Sequence, residues 1–183
     1  MRIIVGLLSL FLVSCSQASY RDTARPSTVK NTPVAVKLLD DYQGYLKKKR
    51  ITTVSSGVSE TSSKKVSSLY LMGVVEKDIE VAEARRLLVE IVDELKRRVD
   101  ESEELRPLLT GHPFAISRIH LSLMMTDSKG AYVATGDNVA KLSLKDGLIR
   151  YFSFEPEVEV EGQHLVLLRQ ELYQEATAES VFR

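Results

Sequence analysis

The sequence has few of several residue types, and each shortage argues against a class of protein. One cysteine among 183 residues means that no disulfide can form within the chain. There is no tryptophan and there are five phenylalanines, which argues against a sugar-binding groove or a base-stacking platform, since both rely on aromatic faces. Basic and acidic residues number 25 each, so the basic excess of a nucleic-acid binder is missing and we expect no nucleic-acid partner.

Motifs of common catalytic sites are equally scarce. His112, His120 and His164 show no spacing typical of metal ligands, and the sequence has no Gly-x-Ser-x-Gly and no phosphate-binding glycine loop. Ser62 and Lys65 match the Ser-x-x-Lys pattern of penicillin-binding enzymes, but the run around them is rich in serine and no Lys-Thr-Gly occurs. We therefore expect no enzymatic activity, no metal and no cofactor. A zinc site built from two histidines and a carboxylate stays an alternative.

The apolar run at the start of the chain is too short to span a membrane. Residues 3–13 are apolar except for Gly6 and Ser9, whereas a helix needs about 20 residues to cross a hydrocarbon layer of about 30 Å. Arg2 precedes the run, and small residues follow it up to Cys15. This arrangement is typical of a cleaved export signal.

The tetrapeptide Leu12-Val13-Ser14-Cys15 resembles the lipobox of bacterial lipoproteins. The resemblance implies that residues 1–14 are removed as a signal peptide and that Cys15 is the lipidation site. The membrane would then be a partner through the lipid anchor. Ser16 in place of aspartate implies sorting to the outer membrane, facing the periplasm, in a Gram-negative cell. An ordinary secretory signal with a free thiol at Cys15 is the alternative.

Three segments with different compositions follow the signal. Residues 15–31 are polar and are predicted to form a flexible stalk. Residues 32–50 begin with Thr32 as an N-cap and a proline at the first helical position, and their apolar residues recur at three and four, so they predict an N-terminal helix. Residues 51–68 are rich in serine and threonine without a sustained period and are predicted to be a mobile linker.

Residues 69–179 carry the patterns of an α+β domain. Apolar residues at steps of three and four predict a long amphipathic helix over 78–100, capped by Asp78. Residues 119–125 alternate like a strand with one buried face, and Asp146-Gly147 between two apolar segments predicts a hairpin with a two-residue loop. We predict an antiparallel sheet of four or five strands packed against the long helix.

The last part of this domain leaves alternatives open. The alternation of valine and glutamate at 157–160 is a strand pattern, as is the short segment at 131–135. The continuously apolar residues 165–168 are typical of a central strand, and 171–176 favour a short terminal helix. A single helix over 164–178 is the competing prediction.

Several short pieces of the domain loosely resemble a group of uncharacterised lipoproteins of the chlamydial type. These pieces are residues 84–88, 105–109, 112–114, 146–151 and 171–176. The resemblance implies no particular activity, and the serine-rich residues 51–68 depart from the pattern of that group.

These observations predict a lipid-anchored envelope protein that acts as a non-enzymatic interaction or structural module with an envelope protein partner. A small-ligand or lipid-binding module is the alternative and would need an apolar cleft of at least about 300 Å³ between helix and sheet. An envelope hydrolase is a third hypothesis. The basic residues 47–50 either favour the helix dipole or contact anionic lipid headgroups. If Phe152 and Phe154 are exposed on the hairpin, they would mark a contact surface.

Overall fold

The computed structural model describes residues 33–127, 130, 138–154 and 165–181, and these residues adopt an α+β fold. Its main elements are α1 (Pro33–Lys48), β1 (Ile51–Glu60), β2 (Val66–Glu76), α2 (Val81–Glu101), β3 (Ile119–Thr126), β4 (Lys141–Lys145), β5 (Leu148–Phe154), β6 (Leu165–Leu172) and α3 (Tyr173–Val181). Short 3-10 helices occupy Arg106–Leu108 and Ile116–Arg118. The α+β class is confirmed.

The sheet is mixed and has six described strands in the order β1-β2-β3-β4-β5-β6. The prediction of four or five antiparallel strands and one long helix is therefore only partly right. β2 and β3 run parallel, in register from Leu69 opposite Ile119 to Glu76 opposite Thr126. The reason is their connection, because parallel neighbours need a crossover and α2 supplies it.

The prediction of a mobile linker over 51–68 is wrong. These residues form β1, a tight turn and the first part of β2, paired antiparallel. β1 lies at the edge of the described sheet and buries only Ile51 and Val58, so its serines and threonines show no apolar period. Since α1 and β1 share one hydrophobic core with the rest of the described chain, the folded unit includes both elements and does not begin at residue 69.

The apolar stripe of α2 is buried as predicted, but the cap is different. Ala84, Leu88, Ile91, Leu95 and Val99 are buried. The helix begins at Val81 with Glu80 as its N-cap, and the Asp78 carboxylate instead accepts a hydrogen bond from Asn138 at 3.1 Å. Asp78 therefore connects the segment before α2 to the segment before β4 and does not cap the helix.

The three helices lie side by side on one face of the sheet. The Tyr42 hydroxyl of α1 donates to the carbonyl of Ile91 in α2. On the other side of α2, the Tyr173 hydroxyl of α3 is bonded to Asp93 at 2.8 Å and lies 3.2 Å from the carbonyl oxygen of Val89. Among the described residues, no helix is both long and apolar enough to cross a membrane.

The β4–β5 hairpin has the predicted two-residue loop. Lys145 pairs with Leu148, and Leu142 pairs with Tyr151 on the buried side. Asp146 and Gly147 both have positive φ angles, 54° and 76°, as a type I′ turn requires. Glycine adopts this conformation without steric cost, so the local sequence alone sets the register.

The C-terminal segment is a strand followed by a helix, which settles the alternatives left open. β6 pairs only with β5 and lies at the edge of the described sheet, so the prediction of a central strand at 165–168 is wrong. A central strand would bury its apolar residues on both faces, whereas Leu165, Val166 and Leu167 are exposed. The predicted signal peptide, Cys15, the stalk, the Thr32 cap, His164 and the strands at 131–135 and 157–160 lie outside the described residues.

Candidate binding face

Side chains of the sheet alternate between two faces, and the helices cover one of them. Leu71, Leu123, Leu142 and Tyr151 are typical of the covered face and are almost completely buried. The opposite face is here called the open face. Its positions on β2 to β6 include Tyr70, Met72, Val74, Glu76, His120, Ser122, Met124, Thr126, Lys141, Ser143, Lys145, Leu148, Arg150, Phe152, Phe154, Leu165, Leu167, Gln170 and Leu172.

The strand register arranges these positions in rows across the sheet. A polar row runs through the centre and consists of Met72, Ser122, Ser143, Arg150 and Gln170. A mixed row beside it consists of Val74, Met124, Lys141, Phe152 and Leu167. Neighbouring strands are about 4.8 Å apart, so each side chain of a row lies next to its partner on the following strand.

Apolar side chains of the open face are exposed mainly on its two flanks. Tyr70 and Met72 on β2, and Leu165, Leu167 and Leu172 on β6, are between 37 and 50 % exposed. Phe152 and Phe154, the two residues predicted to mark a contact surface, are half-buried beside the β6 leucines. The most exposed apolar residues at this end of the face are therefore the leucines of β6 and not the two phenylalanines of the β4–β5 hairpin.

Three cations lie between these flanks. Lys141 and Lys145 project from β4 and Arg150 from β5, and none of them forms an ion pair within the described part of the chain. Lys141 lies over the Phe152 ring, 5.9 Å from its centroid. Glu76 is the one carboxylate among the open-face positions named above, so these described positions carry an excess of positive charge, whereas the charges of the whole sequence balance.

The two described histidines, His112 and His120, lie in different parts of the fold and contact different groups. His120 is on the open face, where its ring stacks on Tyr70 at 4.8 Å between centroids. Burial lowers the pKa of His120, which keeps the ring neutral near pH 7. His112 follows α2, and its Nε2 lies 3.2 Å from the carbonyl oxygen of Asp100. Within the described ranges, no three His, Cys, Asp or Glu side chains are grouped closely enough to hold a metal ion.

The Ser-x-x-Lys match lies on the exposed turn between β1 and β2. Hydrogen bonds in this turn join the Thr61 hydroxyl to the Ser63 hydroxyl at 2.8 Å and to the Lys65 amide at 3.2 Å. Ser62 and Lys65 are both exposed. The turn chemistry of threonine and serine explains this segment without a nucleophile.

The basic residues 47–50 end α1 on the helix side of the molecule. Lys49 forms an ion pair with Glu90 of α2 and lies 5.8 Å from the Tyr45 ring centroid. Lys47 and Arg50 are exposed. This cluster is therefore separate from the cations of the open face.

A buried ionic cluster on the covered side was not predicted from the sequence. Arg85 of α2 binds both carboxylate oxygens of Glu171 on β6, at 2.7 and 2.8 Å, and also pairs with Glu179 of α3. The Tyr151 hydroxyl donates to the same Glu171 carboxylate. Burial alone would raise the pKa of Glu171, but these hydrogen bonds outweigh it and the pKa lies below its ordinary value. The cluster joins α2, β6 and α3.

Two surface depressions lie at the amino-terminal end of α2. One, of about 410 Å³, is lined mainly by polar side chains, including Asp78, Glu83 and Arg86. The other, of about 390 Å³, lies between the start of α2 and Leu168 and Arg169 of β6. Neither has the apolar lining of the ligand cleft that the sequence left as an alternative.

Comparisons of the chain with protein-family models, curated proteins and solved structures find no match. The open face is therefore interpreted from its own chemistry.

Proposed function

We propose that this chain is a lipid-anchored envelope protein that acts by binding and not by catalysis, with the open face as its binding surface. The observation that carries the proposal is the composition of that face. Exposed leucines on β6 and an aromatic and a methionine on β2 flank three cations without ion-pair partners among the described residues. Large apolar patches left in water usually mark a contact surface.

The sequence supports the anchor. In the lipoprotein interpretation, Cys15 carries the acyl chains and residues 16–32 link it to α1 at Pro33. A fully extended chain of that length spans at most about 60 Å. The folded domain would therefore work within about 60 Å of the bilayer surface, in the envelope and facing the periplasm if the cell is Gram-negative.

The anchor is tested by mass spectrometry of the chain purified from bacteria that process lipoproteins. We expect loss of residues 1–14 and acyl chains on Cys15. The variant Cys15→Ser should carry no acyl chains. An intact Met1, or a free thiol on a soluble product, would contradict the proposal.

The binding surface is tested by photo-crosslinking in intact cells from two matched positions. A benzophenone amino acid replaces Ser143 at the centre of the open face in one strain, and Arg86, exposed on α2, in the other. We expect specific products from position 143 and few from position 86. Equal crosslinking from the two positions, or products from 86 alone, would assign binding to another surface.

A further inference from the structure

We infer that the open face docks onto an anionic lipid surface. The inference rests on the proposed function, because the anchor at Cys15 keeps this face close to a bilayer. It commits to lipid and not to protein as the occupant of the face.

The charges of the face are arranged for a surface of opposite sign. Lys141 and Lys145 lie on either side of Ser143, each two residues away from it, and Arg150 is the cross-strand partner of that serine. Ser122 and Gln170, which flank Ser143 and Arg150 in their row, are uncharged. A cation near an anionic bilayer strengthens binding about fivefold, so three cations supply on the order of a hundredfold.

Apolar side chains lie where they can enter the interface. Leu165, Leu167 and Leu172 project from the edge strand β6 on the same face as the cations. The Lys141 ammonium group lies over the Phe152 ring, 5.9 Å from its centroid, so a positive charge and an apolar surface adjoin on this face. Long basic side chains behave in this way at membrane interfaces, where apolar groups enter and charges remain among the headgroups.

The choice of cation favours lipid over an acidic protein partner. Two of the three cations are lysines, and both project from β4, the fourth of the six described strands. The cores of protein interfaces are depleted in lysine and enriched in arginine and aromatic residues. Mobile lipid headgroups can gather around isolated ammonium groups without a fixed geometry, whereas a protein partner has to place its carboxylates individually.

The experiment uses the full chain carrying Cys15→Ser and vesicles with and without an anionic lipid. Vesicles of phosphatidylcholine alone are compared with vesicles containing phosphatidylglycerol, and bound protein is measured by sedimentation. Because residues 3–13 can enter either kind of vesicle, the readout is the ratio of the two affinities. We expect the parent chain to prefer anionic vesicles and to lose that preference at high salt.

Two charge-matched variants locate the contact. K141Q/K145Q should lower the affinity for anionic vesicles about 30-fold, while leaving the affinity for phosphatidylcholine unchanged. K37Q/R86Q removes two exposed cations from the helix layer and should change either affinity less than about twofold. Far-ultraviolet circular dichroism checks that both variants fold. A third variant, L165S/L167S, measures the contribution of the exposed leucines to binding. Because this contribution does not depend on charge, L165S/L167S should weaken binding at high salt as well.

Three results would overturn the inference. They are equal binding of the parent chain to both kinds of vesicle, an unchanged affinity in K141Q/K145Q, and a larger loss in K47Q/K48Q/K49Q/R50Q than in K141Q/K145Q. The last result would assign the lipid contact to the end of α1. A crosslink from position 143 to a protein while Cys15 is acylated would be a fourth such result, but it would leave the proposed function standing, with a protein as the occupant of the face.

Discussion

The covered and open faces are built from the same strands, but they differ in two respects: whether their apolar side chains are buried, and whether their charged side chains form ion pairs. On β2, Leu71 is buried under the helices while Met72, the next residue, is exposed. On the covered side, the charge of Arg85 is matched by carboxylates, whereas Arg150 on the open face has no ion pair within the described chain. Alternation along a strand thus separates residues that hold the fold from residues that are free to bind.

The largest expected difference is between two arginines. Arg85→Met leaves the buried Glu171 without its main partner, and breaking a buried pair in this way costs about 3–5 kcal/mol of unfolding free energy. Arg150→Met removes an open-face cation and should change the unfolding free energy by less than about 0.5 kcal/mol. Urea unfolding followed by circular dichroism measures both values.

A double variant sharpens this comparison. Arg85→Met combined with Glu171→Leu removes both charges, so it should be less destabilised than Arg85→Met alone. If the double variant is as unstable as the single one, packing of the arginine stem holds α2 to β6 and the ion pair does not. If Arg150→Met destabilises as strongly as Arg85→Met, the two faces do not differ as described.

The second prediction compares neighbouring residues of β2. Leu71→Ala should cost about 2–5 kcal/mol, because it opens a cavity beneath the helices. Met72→Ala should cost about 0.5 kcal/mol or less, because Met72 is 43 % exposed and its truncation opens no enclosed cavity. Thermal and urea unfolding of the two variants give the difference. A similar loss in Met72→Ala would mean that other parts of the chain cover the open face.

Features that depend on local sequence could be predicted. The stripe of α2 follows from helical spacing, and the hairpin register follows from Asp146-Gly147, since both are set within a few residues. The outward direction of Phe152 follows from alternation along β5 in the same way. Phe152 and Phe154 are both half-buried, so the exposure on which the contact-surface prediction depended is partial.

Features that depend on distant contacts could not be predicted. β1 has no apolar period because it is an edge strand, and the exposed run of β6 has the composition of a central strand. Arg85 and Glu171 are 86 positions apart, so no spacing rule joins them. The same limit applies to Lys141 and its neighbours, because whether a cation is paired depends on which strands surround it.

The smallest expected effect is on the unfolding free energy at acid pH, and it distinguishes the paired charges of α2 from the cations of the open face. Hydrogen bonds from Arg97 and Arg98 lower the pKa of Glu94 on α2 from 4.5 to about 2. A carboxylate with a lowered pKa in the folded state stabilises the fold above its unfolded pKa, and this contribution is lost as the pH falls from about 4.5 to about 2. The loss should be at most about 1 kcal/mol, since the pair is near the surface. Glu94→Gln should flatten the stability profile over that range, and K141Q/K145Q should leave its slope unchanged because neither lysine forms an ion pair with a carboxylate of the described chain. A flatter slope in K141Q/K145Q, measured by urea unfolding from pH 2 to 5, would mean that the open-face cations pair with carboxylates after all.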